Sequence, residues 1–175
     1  MQMRMQMLAS ALVVLLSAPA PVAAQIDLRL AGGASIPVGD FADAVELGWH
    51  GLGVLELTTP MQPMSLRVDG QYNMFALSAD EDESVSVISG TLNLGYRLPT
   101  PGTPFSPYVI AGLGAYHSDC TSAGCEGTTK FGWNGGLGTK LYFLGFRSFL
   151  EARFHSTSSG NNEVRYVPVT LGVIF

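Results

Sequence analysis

Alternation of apolar and polar residues with a period of two recurs eight times in this chain, and this feature most limits its fold. Proline, glycine, serine or acidic clusters separate the alternating stretches. Period two is typical of strands with one apolar and one polar face, whereas amphipathic helices need a period near 3.6. The pattern therefore predicts an all-β fold of eight strands, over residues 26–36, 48–58, 64–77, 85–98, 108–117, 129–143, 147–156 and 164–175.

The first 24 residues are typical of a secretory signal peptide. They contain one base, Arg4, then an apolar run from Leu8 to Leu16 and small residues up to Ala24. That run is far shorter than the ~20 residues that a helix needs to span a bilayer. We expect cleavage near Ala24 and one mature domain over residues 25–175.

The sizes of the alternating residues indicate which face points inward. On the sixth stretch Phe131, Trp133 and Leu137 alternate with glycines and polar residues. A glycine-rich polar face suits the crowded interior of a narrow barrel. Only 13% of the chain is charged, against roughly 25% in ordinary soluble domains. We therefore expect an eight-stranded antiparallel up-and-down transmembrane β-barrel with its apolar face in lipid. The alternative is a soluble periplasmic barrel of lipocalin type, with the apolar face inside and a ligand bound there.

Aromatic residues near the strand ends support the membrane interpretation. Membrane barrels carry girdles of aromatic side chains at both lipid interfaces. The predicted girdles comprise Trp49, Tyr72, Tyr116 and Trp133 at one end of the strands and Tyr96, Tyr108, Phe143 and Phe175 at the other.

Three segments carry a resemblance to a known family: AGGASIPVGDF at 31–41, PYVIAGLGAY at 107–116 and VTLGVIF at 169–175. With the signal peptide, they make the chain similar to the small eight-stranded outer-membrane barrels of OmpA/OmpX type. The resemblance implies the outer membrane of a Gram-negative-type bacterium, with outer-membrane lipid and lipopolysaccharide as surroundings. It also implies that the barrel-assembly machinery reads the last strand through the terminal Phe175. We expect a monomer.

Charged residues on the inward-facing positions form a near-balanced set of four acids and five bases. The interior of an eight-stranded barrel is just filled by side chains, so buried charges there must pair. We expect a structural network of salt bridges in the lumen rather than an ion-conducting pore. Its members are Asp27, Arg29, Glu56, Arg67, Asp69, Arg97, Lys140, Glu151 and Arg153.

The predicted loops after the first, third, fifth and seventh strands contain ten of the fourteen acidic residues. These loops predict a strongly negative rim, and divalent-cation bridging to lipopolysaccharide is one hypothesis for it. No metal or cofactor site is predicted, because Asp80 to Glu83 lacks the ligand spacing of an EF-hand. Cys120 and Cys125 in the third loop predict a disulfide, as expected for an exported protein.

The leading functional hypothesis is a non-enzymatic outer-membrane platform whose external loops, above all the Cys120–Cys125 loop, mediate recognition or adhesion. The net charge of −5 excludes a nucleic-acid groove. The alternative is an enzyme that uses His155 and Ser156, which resemble the histidine and serine of the outer-membrane lipid A deacylases. In those enzymes serine stands two residues after the histidine, where this chain has Thr157.

Overall fold

The computed structural model describes residues 24–59, 62–78, 83–121, 127–143, 145–157 and 163–175, without the side chain of Phe143. Its eight antiparallel strands form a closed barrel in which each strand pairs with its neighbours in sequence and the last pairs with the first. The strands are β1 Gln25–Pro37, β2 Gly48–Thr58, β3 Met64–Ala76, β4 Ser84–Arg97, β5 Phe105–Cys120, β6 Thr128–Phe143, β7 Phe146–Thr157 and β8 Arg165–Ile174. The expected all-β, eight-stranded fold is confirmed.

Closure depends on the pairing of β1 with β8, where Arg29 lies opposite Ile174 and Gly33 lies opposite Thr170. No sheet edge is left open along these strands, so their backbone groups are paired without water. Strand β5 extends three residues beyond the predicted stretch at each end, because β4 and β6 continue to offer partners to Phe105 and Cys120.

The two ends of the barrel differ in their connections. The first and last described residues, Ala24 and Phe175, lie at one end of the barrel with the strand ends that border 59–63, 98–104 and 144–145, and we call this the turn end. The strand ends that border 38–47, 77–83, 121–127 and 158–164 lie at the other, which we call the loop end. A short helix, α1 Asp40–Ala44, lies in the first loop and is absent from the sequence prediction. Within the described ranges, no helix is long and apolar enough to cross a membrane.

The apolar positions of the strands point outward. Leu92, Leu113 and Leu137 are 55%, 70% and 65% exposed, and the terminal Phe175, which follows β8, is 62% exposed. The opposite positions are buried and mostly polar. This is the arrangement of a membrane barrel and the reverse of a lipocalin, so the soluble alternative is wrong.

Candidate functional site in the barrel lumen and at the loop end

Four charged side chains in the middle of the lumen form a closed set of ion pairs, which we call the central cluster. Arg67 contacts Glu151 at 2.7 Å and Asp69 at 3.2 Å, and Arg153 contacts the same two carboxylates at 2.7 Å each. The Tyr108 hydroxyl donates to Glu151 Oε2 at 2.6 Å. All four charged residues are at most 3% exposed. Two cations therefore face two anions inside a dry interior, where losing one member would leave a charge uncompensated.

A second group of charges, the turn-end cluster, comprises Arg29, Glu56 and Lys140. Arg29 pairs with Glu56, and Lys140 Nζ lies 2.9 Å from the same oxygen, Glu56 Oε2. The Arg29 guanidinium also lies 5.1 Å from the ring centroid of Phe149, within cation–π range. Two cations thus share one carboxylate here.

The remaining predicted lumen charges lie at the turn end itself. Asp27 pairs at 2.9 Å with Arg147, a residue missing from the predicted network. Arg97 is exposed and lines the mouth of the barrel beside Lys140. In the described part of the chain, Arg97 makes no salt bridge.

The lumen near the loop end contains neutral side chains, which we call the loop-end network. Asn73 accepts hydrogen bonds from Ser35 at 2.9 Å and from Gln71 at 2.8 Å, and its amide donates to the Val87 carbonyl at 3.2 Å. His50 bonds Ser35 at 3.0 Å and Thr170 at 2.9 Å. Strand parity predicts that Gln71, Asn73 and Thr170 point inward, but the predicted lumen network comprises only charged residues and omits these neutral side chains.

An apolar plug closes the loop end above this network. Phe41, from α1, packs edge-on against Phe75 at a centroid distance of 5.2 Å, and Phe75 contacts Tyr166 at 5.7 Å. The loop-end plug comprises Phe41, Val45, Phe75, Val87, Tyr116 and Tyr166. Phe41 is the one phenylalanine in a loop otherwise rich in acids and small residues, and this is the sequence feature that could have predicted a buried contact from this loop.

Two aromatic residues assigned to the girdles are in fact in the lumen, so that part of the prediction is wrong. Tyr108 is 6% exposed and bonds Glu151, while Tyr116 is 0% exposed and bonds His155. Glycines on β6 make room for them: a Cβ at Gly138 would lie 2.5 Å from the Tyr108 hydroxyl, and one at Gly132 would lie 2.8 Å from the Tyr116 ring.

The other described girdle residues point outward. Trp49 is 55% exposed and contacts Tyr72, and Trp133 is 51% exposed. Tyr96 and Phe175 are 45% and 62% exposed at the turn end. Nothing is described of the Phe143 side chain. Further outward aromatics, which the prediction omitted, are Phe105, Phe131, Tyr142 and Phe146.

His155 and Ser156 do not form a nucleophile–base pair. The His155 ring points into the lumen, where it bonds Tyr116 at 3.0 Å and stacks on Tyr166 at 5.0 Å. The Ser156 hydroxyl donates instead to Glu163 Oε1 at 2.7 Å. A serine activated by histidine needs a hydrogen bond between the two, which this geometry lacks.

The loop end is acidic. The described acids there are Asp40, Asp43, Glu46, Glu83, Asp119 and Glu163, while Asp80, Glu81, Asp82 and Glu126 lie outside the described residues. Arg165 donates to Glu163 at 2.6 Å, and the hydrogen bonds from Arg165 and Ser156 hold the pKa of Glu163 below its usual range. Among the described residues, no three histidine, cysteine or acidic side chains are grouped to hold a metal ion.

Two sequence predictions fall on residues outside the described ranges. Cys120 ends β5, but Cys125 is not described, so the disulfide stays a prediction. The signal peptide likewise stays a prediction, since the described residues start at Ala24.

Solved structures with this fold are outer-membrane barrels. Neisserial surface protein A has a TM-score of 0.66 at 16% identity, covering 85% of this chain and 94% of its own. The N-terminal barrel domain of OprF from Pseudomonas aeruginosa has a TM-score of 0.55 at 17% identity, covering 87% and 99%. The attachment invasion locus protein Ail of Yersinia pestis, solved with the heparin analogue sucrose octasulfate, has a TM-score of 0.51 at 13% identity, covering 87% and 97%. At these identities the likeness shows the fold alone.

A search of curated proteins found no match. The family model of the outer membrane protein beta-barrel domain matches residues 8–175, almost the whole sequence. The closed barrel with its polar lumen, the outward apolar face and this match agree, and the chain therefore belongs to the outer membrane protein beta-barrel family, with its place in the outer membrane of a Gram-negative-type bacterium.

Proposed function

We propose that this protein is a non-enzymatic surface platform, in which the barrel anchors four external loops and the loops bind a partner. The observation that carries the proposal is the contrast between a lumen filled with paired side chains and an acidic loop end. The loop-end plug covers the lumen with Phe41, which is only 9% exposed. A partner would therefore bind the outer surface of the loops and not the lumen. Solvent-exposed charge of one sign steers partners of the opposite sign.

The sign of the loop-end charge selects the class of partner. Nine acids lie in the four loops and Asp119 at the adjoining end of β5, against Lys130 and Arg165 at the neighbouring strand ends. The Ail protein was solved with a polysulfated heparin analogue, but such a polyanion would be repelled by this rim. A cationic surface or a basic protein segment is the complementary partner. Divalent cations bridging the rim to lipopolysaccharide would use the same charge.

The surroundings of the barrel follow from its faces. The apolar outward residues require lipid, with lipopolysaccharide on the outer side. Because the closed barrel pairs its own strand edges, it needs no second copy to satisfy its backbone hydrogen bonds, and we infer a monomer. The alternating outward residues of β8, Val169, Leu171, Val173 and Phe175, are exposed as an assembly signal would require. We infer that the barrel-assembly machinery binds this strand.

The binding proposal is tested with the barrel in lipid nanodiscs passed over immobilised poly-lysine and immobilised heparin. We expect binding to poly-lysine, weakening as salt rises, and none to heparin. The triple variant Asp40→Asn, Asp43→Asn, Glu46→Gln should bind about tenfold more weakly, since each exposed charge pair contributes about 0.5 kcal/mol. Empty nanodiscs are the control. Equal binding by the triple variant and the parent would overturn the role of the first loop.

The non-enzymatic part is tested on lipid A. Cells that produce the barrel and cells that lack it should yield lipid A of the same mass. A mass shift that disappears in a His155→Ala variant would establish the deacylase alternative instead, although no contact of His155 favours it.

A further inference from the structure

The turn end of the lumen opens into a small polar pocket. Arg97 and Lys140 line it with the carboxylate of Glu56. The hydroxyl-bearing lining residues are Thr58, Ser65, Ser106 and Tyr108. These side chains come from five consecutive strands, β2 to β6. Lys140 lies opposite Ser106, and Thr58 opposite Ser65, which brings cations and hydroxyls to one rim.

The charges around this pocket do not balance. Arg29 and Lys140 both contact the same oxygen of Glu56. Arg97, the third cation, has no carboxylate partner in the described ranges. The neighbouring Asp27 is already paired with Arg147. The central cluster has two cations for two anions, whereas among the described residues here two cations share Glu56 and Arg97 is unpaired.

Uncompensated cations beside a low-dielectric interior are costly unless an anion joins them. The Lys140 side chain is only 12% exposed and that of Glu56 only 4%, so water screens the excess charge of Arg29 and Lys140 poorly, whereas Arg97 is exposed. We propose that the pocket binds a phosphate group, with Lys140 and Arg97 supplying charge and the hydroxyls of Ser65, Ser106 and Thr58 donating hydrogen bonds. Ammonium, guanidinium and hydroxyl donors are the groups that recognise phosphate oxygens.

The size of the pocket limits how the group sits. Its open space is about 10 Å³, which is room for about one water molecule. One phosphate oxygen enters this space, and the rest of the group stays in the mouth, under the exposed Arg97. The phosphate can belong to free phosphate in the periplasm or to a phospholipid headgroup, because membrane barrels place their short turns on the periplasmic side.

The test uses the whole mature chain folded in a maltoside detergent, which contains no phosphate, and titrates inorganic phosphate against chloride at constant ionic strength by calorimetry. We expect saturable binding that weakens about tenfold or more in Arg97→Gln and in Lys140→Gln, since each substitution removes a charged hydrogen bond. The double variant Asp27→Asn, Arg147→Gln is the matched control, because it removes a complete ion pair at the same end without changing the net charge, and its phosphate affinity should be unchanged. Heat-modifiable gel migration first verifies that each variant is folded.

Lys140→Gln also separates this proposal from a structural role. The substitution leaves Arg29 and Glu56 as one cation with one anion, so the urea midpoint without phosphate should not fall. No phosphate response in the parent, or a loss of affinity in the Asp27→Asn, Arg147→Gln double variant equal to that in Arg97→Gln, would overturn the site.

Repeating the titration in two bilayers identifies the source of the phosphate. A response to phosphate in galactolipid nanodiscs but not in phospholipid nanodiscs assigns the site to lipid headgroups, because phospholipid headgroups would already fill it in the second bilayer. A response in both assigns it to a free anion, and a response in neither overturns the proposal.

Discussion

The two halves of the lumen are stabilised by different chemistry. From the turn end to the middle, the inward side chains include the central cluster and the turn-end cluster, with charged groups at hydrogen-bond distance. Towards the loop end, the loop-end network contains neutral amides, hydroxyls and imidazoles, and an aromatic plug covers it. Both halves belong to the same eight strands.

The difference teaches how a barrel with a polar core becomes stable without an apolar interior. Charged pairs deep in the lumen contribute strongly only while every member is present. Neutral hydrogen bonds tolerate loss better, but they need water excluded, and the loop-end plug does so. We therefore expect substitutions to have larger effects in the charged half.

Glu151→Gln should have the largest effect. It leaves Arg67 and Arg153 facing Asp69 alone, and breaking a buried pair costs about 3–5 kcal/mol. Urea unfolding from phospholipid vesicles measures the loss, and planar-bilayer conductance should stay as in the parent. The double variant Glu151→Gln, Arg153→Gln restores one cation per anion and should lose less than the sum of the single variants. Additive losses would contradict a balanced cluster.

Phe41→Ala should rank second, because it removes the side chain of α1 that packs on Phe75. Truncating a buried phenylalanine costs about 3–5 kcal/mol, and a site at the rim should fall at the lower end. Amide hydrogen exchange should rise near Asn73 and stay unchanged near Arg67. Uniform exchange across both would show that the plug does not protect the loop-end half specifically.

Asn73→Ala should rank third. It leaves the Ser35 and Gln71 donors without their shared acceptor, and unsatisfied neutral groups cost about 1–3 kcal/mol. The urea midpoint measures this loss. A loss as large as that of Glu151→Gln would remove the distinction between the halves.

Strand parity in the sequence predicts which face each side chain occupies, and this accounts for what was predicted correctly. Lys140 and Glu151 follow from alternation with Leu141 and Leu150. The same rule would have assigned Tyr108 and Tyr116 to the lumen, since they share parity with Gly112 and Gly114 on β5. The predicted girdles rest on height along the strand, which does not distinguish the inward face from the outward one, and this is the source of the error.

Partners across the lumen do not follow from parity. Arg67 and Glu151 are 84 residues apart and meet only because the stagger of the closed barrel brings β3 and β7 to the same height. The contact of Phe41 with Phe75 likewise depends on a loop folding back over the barrel. Alternation contains no information on either.

Glu163→Gln should have the smallest effect on stability, because it removes only exposed or partly buried contacts at the loop end. The hydrogen bonds of Glu163 with Arg165 and Ser156 lower its pKa in the folded state, against about 4.3 in the unfolded chain. A lowered pKa stabilises the fold above the unfolded value, and that contribution is lost as the pH falls through the folded pKa. The urea midpoint of Glu163→Gln should therefore lie slightly below that of the parent at pH 7, and the gap should close on acidification. Glu46→Gln, at an acid with no side-chain hydrogen bond in the described ranges, is the control and should show no such gap. A difference in urea midpoint that persists or widens in acid would mean that the charge of Glu163 does not stabilise the fold. The loop end would then be stabilised by neutral contacts alone, in contrast to the charged half of the lumen.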